Sequence, residues 1–118
     1  MNQTVLKLPK PRTRGKLTLE EALKLRKTAR TLSTKPIDIA TVSQLLWALQ
    51  GITWVEKTPE RKRVFHKAAP SAGKTFPLEV YVALPQGLFR YKPQKHVLDQ
   101  MNEQDMRGEL SKAAVTPL

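Results

Sequence analysis

Pro70-Ser71-Ala72-Gly73-Lys74-Thr75-Phe76-Pro77-Leu78-Glu79-Val80-Tyr81-Val82 is the stretch on which the fold turns. It opens with a small-residue turn in which backbone N–H groups can lie open to a ligand, and Gly73 permits backbone geometries that a Cβ would block. Ser71 and Thr75 add hydroxyls that can donate or accept. Pro77 then fixes the entry to a strand. Leu78, Val80 and Val82 alternate with Glu79 and Tyr81, the period-two pattern of a half-buried strand. On local physics alone, an ordinary loop entering an ordinary strand accounts for the same residues.

Around this stretch lies a chain of 118 residues, the size of one domain with a modest core. It carries 21 Lys+Arg against 10 Asp+Glu, a net charge of +11. That balance favours anionic partners such as nucleic acid, acidic lipid or a phosphorylated cofactor. The charge is spread along the chain, with one cluster at Arg61-Lys62-Arg63. Cysteine is absent, which excludes disulfides and thiolate chemistry. His66 and His96 have no carboxylate or cysteine at ligand spacing, so no metal site is expected. Residues 1–17 combine Pro9, Pro11 and Gly15 with five basic residues and read as an extended arm ahead of a domain at 18–118. The arm has no apolar h-region, and no apolar run reaches membrane-spanning length. A cytoplasmic protein is expected.

Thr18-Leu19-Glu20-Glu21 has the form of a capping box, with acidic residues in the first turn of a helix expected from Leu19 to Arg30. Leu19 and Leu23 share a face that continues into Arg26 and Arg30. Those cations either complement the helix dipole or meet an anion. Asp38 is an N-cap for a second helix, Ile39 to Gln50, with Gly51 as its stop. Its expected buried stripe is Ile39, Val42, Leu45, Leu46 and Leu49, with Trp47 to one side. Residues 54–69 read as a basic loop in which Trp54 and Phe65 flank the cluster, the composition of a nucleic-acid contact or of a loop over a pocket. Pro85-Gln86-Gly87 makes a turn into a second strand at Leu88–Tyr91, with a third from Lys95 to Met101. A last helix is expected from Glu103 to Ala114.

Four of these stretches resemble the nitroreductase-like flavoproteins, in particular the SagB-type dehydrogenase branch. The Pro70–Val82 run is similar to that branch's Pro-Ser-Ala-Gly-x-x-Tyr-Pro-Leu-Glu-Val-Tyr-Val, with Phe76 where tyrosine is usual. Arg26-Lys27-Thr28-Ala29-Arg30 resembles Arg-Arg-Ser-x-Arg; Lys27 departs from it, because an ammonium cannot make the bidentate contact. Ser43–Thr53 resembles Ser-Gln-Leu-Leu-Trp-Ala-Ala-Gln-Gly-Ile-Thr, and Gly87–Pro93 resembles Gly-Leu-Tyr-Arg-Tyr-x-Pro.

The resemblance implies an α+β, nitroreductase-like fold in its N-terminal part only, with helices packed on an antiparallel hairpin or sheet and the C-terminal half missing. It implies an FMN-dependent oxidoreductase, with NAD(P)H or a dihydro-heterocycle as electron donor and a small molecule or modified peptide as substrate. Arg26, Lys27, Thr28 and Arg30, with Pro70, Ser71, Ala72 and Gly73, would contact the flavin. The family's flavin lies between two subunits, so a homodimer, or association with another chain, is expected. No acid, base or nucleophile stands out. A non-catalytic partner subunit is the alternative, followed by a small nucleic-acid-binding module acting through Arg61–Arg63.

Overall fold

The computed structural model describes residues 4–60 and 62–114. Its centre is a four-stranded antiparallel sheet made of β1 (Val5–Lys7), β4 (Tyr81–Leu84), β5 (Gly87–Lys92) and β6 (Val97–Asn102), in the order β1-β6-β5-β4. The basic arm thus contributes an edge strand, with Leu6 opposite Leu98. Its extended character follows from its prolines, and its docking from Leu6 and Leu8, which reach the core. The strand expected from Leu78 pairs only from Val80, whose carbonyl accepts from the Tyr91 N–H at 2.9 Å. Pro77 has no N–H to give, and Phe76 turns the backbone through φ 41°. Leu78 is therefore left exposed, while Val80, Val82 and Leu84 pack inward at the predicted period.

Helix α1 (Leu19–Leu25) starts at the predicted box. Thr18 Oγ1 accepts from the Glu21 N–H at 3.2 Å and the Glu21 carboxylate accepts from the Thr18 N–H at 2.8 Å. It ends before Arg26, whose ψ of 127° is extended, rather than continuing to Arg30. None of its side chains is buried, so no packing energy offsets the cost of further turns, and β-branched Thr28 is a poor residue to add. The Arg26–Arg30 run consequently lies in an irregular, exposed segment.

Helix α2 (Ile39–Gln50) has the predicted bounds, with Asp38 Oδ1 accepting from the Thr41 N–H at 2.8 Å. Hydrogen bonding from the Thr41 side chain, and then from its backbone N–H, holds the Asp38 carboxyl below its ordinary pKa. Its buried residues are Val42, Ser43, Leu46 and Gln50, while Leu45 and Leu49 face outward. The stripe inferred from apolarity is thus rotated, because Ser43 and Gln50 carry hydrogen bonds inward: Gln50 Oε1 accepts from Lys67 Nζ at 3.4 Å. Gly51 caps the helix with no left-handed backbone (φ −69°). Glycine is needed there for space, since a Cβ would sit 2.5 Å from Trp47 Cα.

The expected basic loop is a hairpin, β2 (Ile52–Lys57) with β3 (Arg63–Lys67), in which Val55 faces Phe65 and Glu56 faces Val64. β-branched and aromatic residues at Ile52–Val55 and Val64–Phe65 outweigh the charges between them. The last helix, α3 (Arg107–Ala113), starts later than expected. Asn102 and Asp105 each accept a bond from the backbone two residues on, at 2.8 Å to Gln104 and 3.1 Å to Arg107, and so form turns where helix was expected.

The core is where α2 lies on the sheet: Val42 and Leu46 against Leu8, Phe89, Tyr91 and Leu98, the last fully buried. One polar chain crosses it. Ser43 Oγ donates to the Pro9 carbonyl and lies 2.7 Å from His96 Nε2, while the Tyr91 hydroxyl lies 2.7 Å from His96 Nδ1. Ser43 has one proton, already given to Pro9, so it accepts from His96 Nε2–H. Nδ1 is then the acceptor for Tyr91. The neutral, Nε2-protonated imidazole satisfies every group in the chain. Burial pushes the Tyr91 phenol up to about 12 and lowers His96 from 6.5, the Pro9 carbonyl acting in the opposite sense.

Two predictions follow from this core. The lowered His96 value means that the unfolded chain binds more protons in acid, so stability present above pH 6.5 is lost as pH falls through the folded value. Urea unfolding between pH 7 and 5 should show that slope, at most about 1.4 kcal/mol per pH unit, and His96→Gln should flatten it. Leu98→Ala should cost about 2–5 kcal/mol, read as a drop in the urea midpoint.

Candidate functional site

The hairpin, the turn after it and the main sheet enclose a cavity of about 860 Å³, within the range of small-molecule and cofactor sites. Each wall has its own source. β3 supplies Arg63, Phe65 and Lys67, and the turn supplies Lys74, Thr75 and Phe76. The β5–β6 connection adds Pro93 and Lys95, and the sheet adds Val5, Val97 and Asp99. Lys92 also lines it, 3.9 Å from the Asp99 carboxylate. Among the described lining residues the cations are Arg63, Lys67, Lys74, Lys92 and Lys95, against one acid. Phenylalanine and valine side chains fill the space between them.

Lys67 is the cation whose environment is most altered. Burial lowers its pKa, and its Nζ lies 4.5 Å from the centre of the Phe76 ring. A partly desolvated ammonium on an aromatic face, beside open volume, is a good electrostatic partner for an anionic group entering the cavity.

The Pro-Ser turn is built to hold itself. Ser71 Oγ accepts from the Phe76 N–H at 2.8 Å, and Thr75 Oγ1 donates to the Ala72 carbonyl at 3.2 Å. Lys74 N–H bonds the Ser71 carbonyl at 3.2 Å. The Ser71 hydroxyl and the amides of Lys74 and Phe76 are thus engaged inside the turn, where the sequence suggested groups open to a ligand. Gly73 does adopt left-handed backbone, φ 65°, as its residue type allows.

Of the residues expected from sequence, Pro70, Ser71, Ala72 and Gly73 form the turn whose continuation, Lys74 to Phe76, lines the cavity. Arg26, Lys27, Thr28 and Arg30 are exposed and line none of the described cavities. Among the described residues no hydrogen bond joins the two groups within the protomer. Arg61 of the basic cluster lies outside the described residues; Arg63 faces the cavity and Lys62 is exposed.

Sequence reasoning missed Lys67, Lys92 and Lys95, which are brought together only by strand pairing. The alternation in Arg63-Val64-Phe65-His66-Lys67 was the available signal. No group of three or more metal-ligating side chains occurs among the described residues. No described helix is long and apolar enough to cross a membrane.

Residues 23–116 match the profile of the nitroreductase family. The nitroreductase homologue MJ1384 of Methanocaldococcus jannaschii is 31% identical over 103 residues, covering 82% of this chain and 48% of that protein. A crystal structure of a nitroreductase-family protein from Ralstonia eutropha JMP134 superposes with a TM-score of 0.72 at 34% identity, over 87% of this chain and 46% of that one. A second, from Anabaena variabilis ATCC 29413, gives 0.54 at 28% identity, over 91% of this chain and 23% of that one. The chain spans about half the length of the curated relative it matches. Its α+β fold, with the antiparallel sheet, is that of these structures. The chain belongs to the nitroreductase family.

Proposed function

We propose that this chain forms part of an FMN-dependent oxidoreductase of the SagB-type branch, with the phosphorylated flavin held at the cationic cavity beside the Pro-Ser turn. Members of the nitroreductase family generally use FMN. The observation that carries the reading here is the lining: five cations, two phenylalanines and one carboxylate around about 860 Å³. That donor set fits a flat aromatic ring bearing a dianionic phosphate.

In this reading Lys67 and Lys74 attract the phosphate, with Arg63 offering a guanidinium fork to its oxygens. Phe65 and Phe76 shield the ring from water, and the turn fixes its edge. Hydride transfer is the chemistry that the bound flavin supplies, the electrons coming from NAD(P)H or a dihydro-heterocycle. The substrate is then a small molecule or a modified peptide. Arg26, Lys27, Thr28 and Arg30 act across an interface, on the cofactor held by another chain. Leu19, Leu23, Leu45 and Leu49, all more than half exposed, are the apolar surface available for that association, with a second copy or a different chain. A non-catalytic partner subunit is the second reading.

FMN titration followed by quenching of flavin fluorescence should be saturable and should weaken as salt rises. Lys67→Glu and Lys74→Glu should each raise Kd about tenfold. Absence of saturation at roughly 1 mM FMN, both alone and with a captured partner chain, would overturn the cofactor reading. Flavin binding without turnover of NAD(P)H would select the partner-subunit reading.

A further inference from the structure

The Pro-Ser turn holds an unfavourable backbone. Lys74 (φ 53°) and Phe76 (φ 41°) join Gly73 in left-handed conformations that residues with a Cβ avoid. Such geometry persists only where the surroundings hold it. The hairpin provides the hold through consecutive residues of β3. Lys67 lies over the Phe76 ring, and His66 takes Lys74.

The His66 contact has a definite shape. Lys74 Nζ is 3.3 Å from His66 Nδ1 and 3.5 Å from Nε2. Near-equal distances to the two nitrogens that flank Cε1 put the ammonium over the ring, because in the ring plane the Cε1–H would block it. The other face is covered by Trp54, stacked at 3.9 Å with an interplanar angle of 3°. At the edge, Nε2 lies 3.0 Å from Glu56 Oε2. The Glu56 carboxylate can only accept, so Nε2–H is the donor in that contact. The His66 backbone is fixed in turn, its carbonyl accepting from Thr53 Oγ1 at 3.0 Å.

We infer that His66 is a positioning residue: sandwiched between Trp54 and the Lys74 ammonium, it fixes the Pro70–Phe76 turn in its left-handed conformation and so sets the cavity wall. Glu56 from β2 and Lys74 from the turn are the charged groups in contact with the ring. The ring face does the holding, and Glu56 fixes the ring's orientation. The consequence for cofactor affinity rests on the flavin reading above; the consequence for the turn does not.

Hydrogen–deuterium exchange of residues 70–76 tests the turn directly. In His66→Ala and in Lys74→Ala, exchange should rise about fivefold, with β5 and β6 unchanged. The double variant should exchange no faster than either single one. His66→Phe keeps a ring face for both Trp54 and Lys74, and should restore the protection that His66→Gln does not. Unchanged exchange at 70–76 in His66→Ala, or failure of His66→Phe to restore it, overturns the proposal whatever happens to flavin binding. Faster exchange with unaltered FMN affinity leaves the clamp standing and removes the turn from the flavin site. Lys74 is exposed, so its variant reports on the contact even if His66→Ala unfolds.

Discussion

Ser43, His96 and Tyr91 are joined where the amino-terminal arm, the second helix and the sheet meet. Three polar side chains in an apolar core stabilise it only if all are satisfied, and here a single imidazole tautomer satisfies them. Their geometry sets the rest. Ser43 orients α2 by turning its polar side inward, and Pro9 anchors the arm so that β1 can pair with β6. His96, at φ 53°, shapes the β5–β6 connection that carries Lys95 to the cavity. The sheet and the cavity wall thus share one hinge of hydrogen bonds.

Much of this was legible in the residues. The capping box at Thr18, the N-cap at Asp38, the stop at Gly51 and the turn at Pro85–Gly87 are local signals whose energetics do not wait for tertiary structure. The strands at Val80–Leu84 and Leu88–Tyr91 announced themselves by alternation. What was not legible depended on burial. Helix α1 could not be bounded, because its length is decided by packing that is absent. Leu45 and Leu49 could not be told from Leu46, because the helix is rotated by the partners of Ser43 and Gln50. The β2–β3 hairpin was hidden by its charges, which cluster near the turn while its apolar residues pair across the strands.

The candidate site divided in the same way. A sequence motif marks the Pro70–Gly73 turn, since glycine and proline constrain the backbone wherever they stand. The cations at 63, 67, 74, 92 and 95 have no motif; they converge because a hairpin and a sheet edge face each other across a gap. Charge convergence of this kind is a property of topology. It also explains how a basic chain can focus its field on one concavity while most of its lysines remain in solvent.

Strand β1 spans only Val5–Lys7, and prolines stand at positions 9 and 11 just beyond it. A border so short, with lysine at its end and residues that cannot donate, offers little to an incoming extended segment. The opposite border, Tyr81–Leu84, is longer and interrupted by no proline before residue 85. An added strand would find its longer uninterrupted run of backbone groups along Tyr81–Leu84, between Pro77 and Pro85.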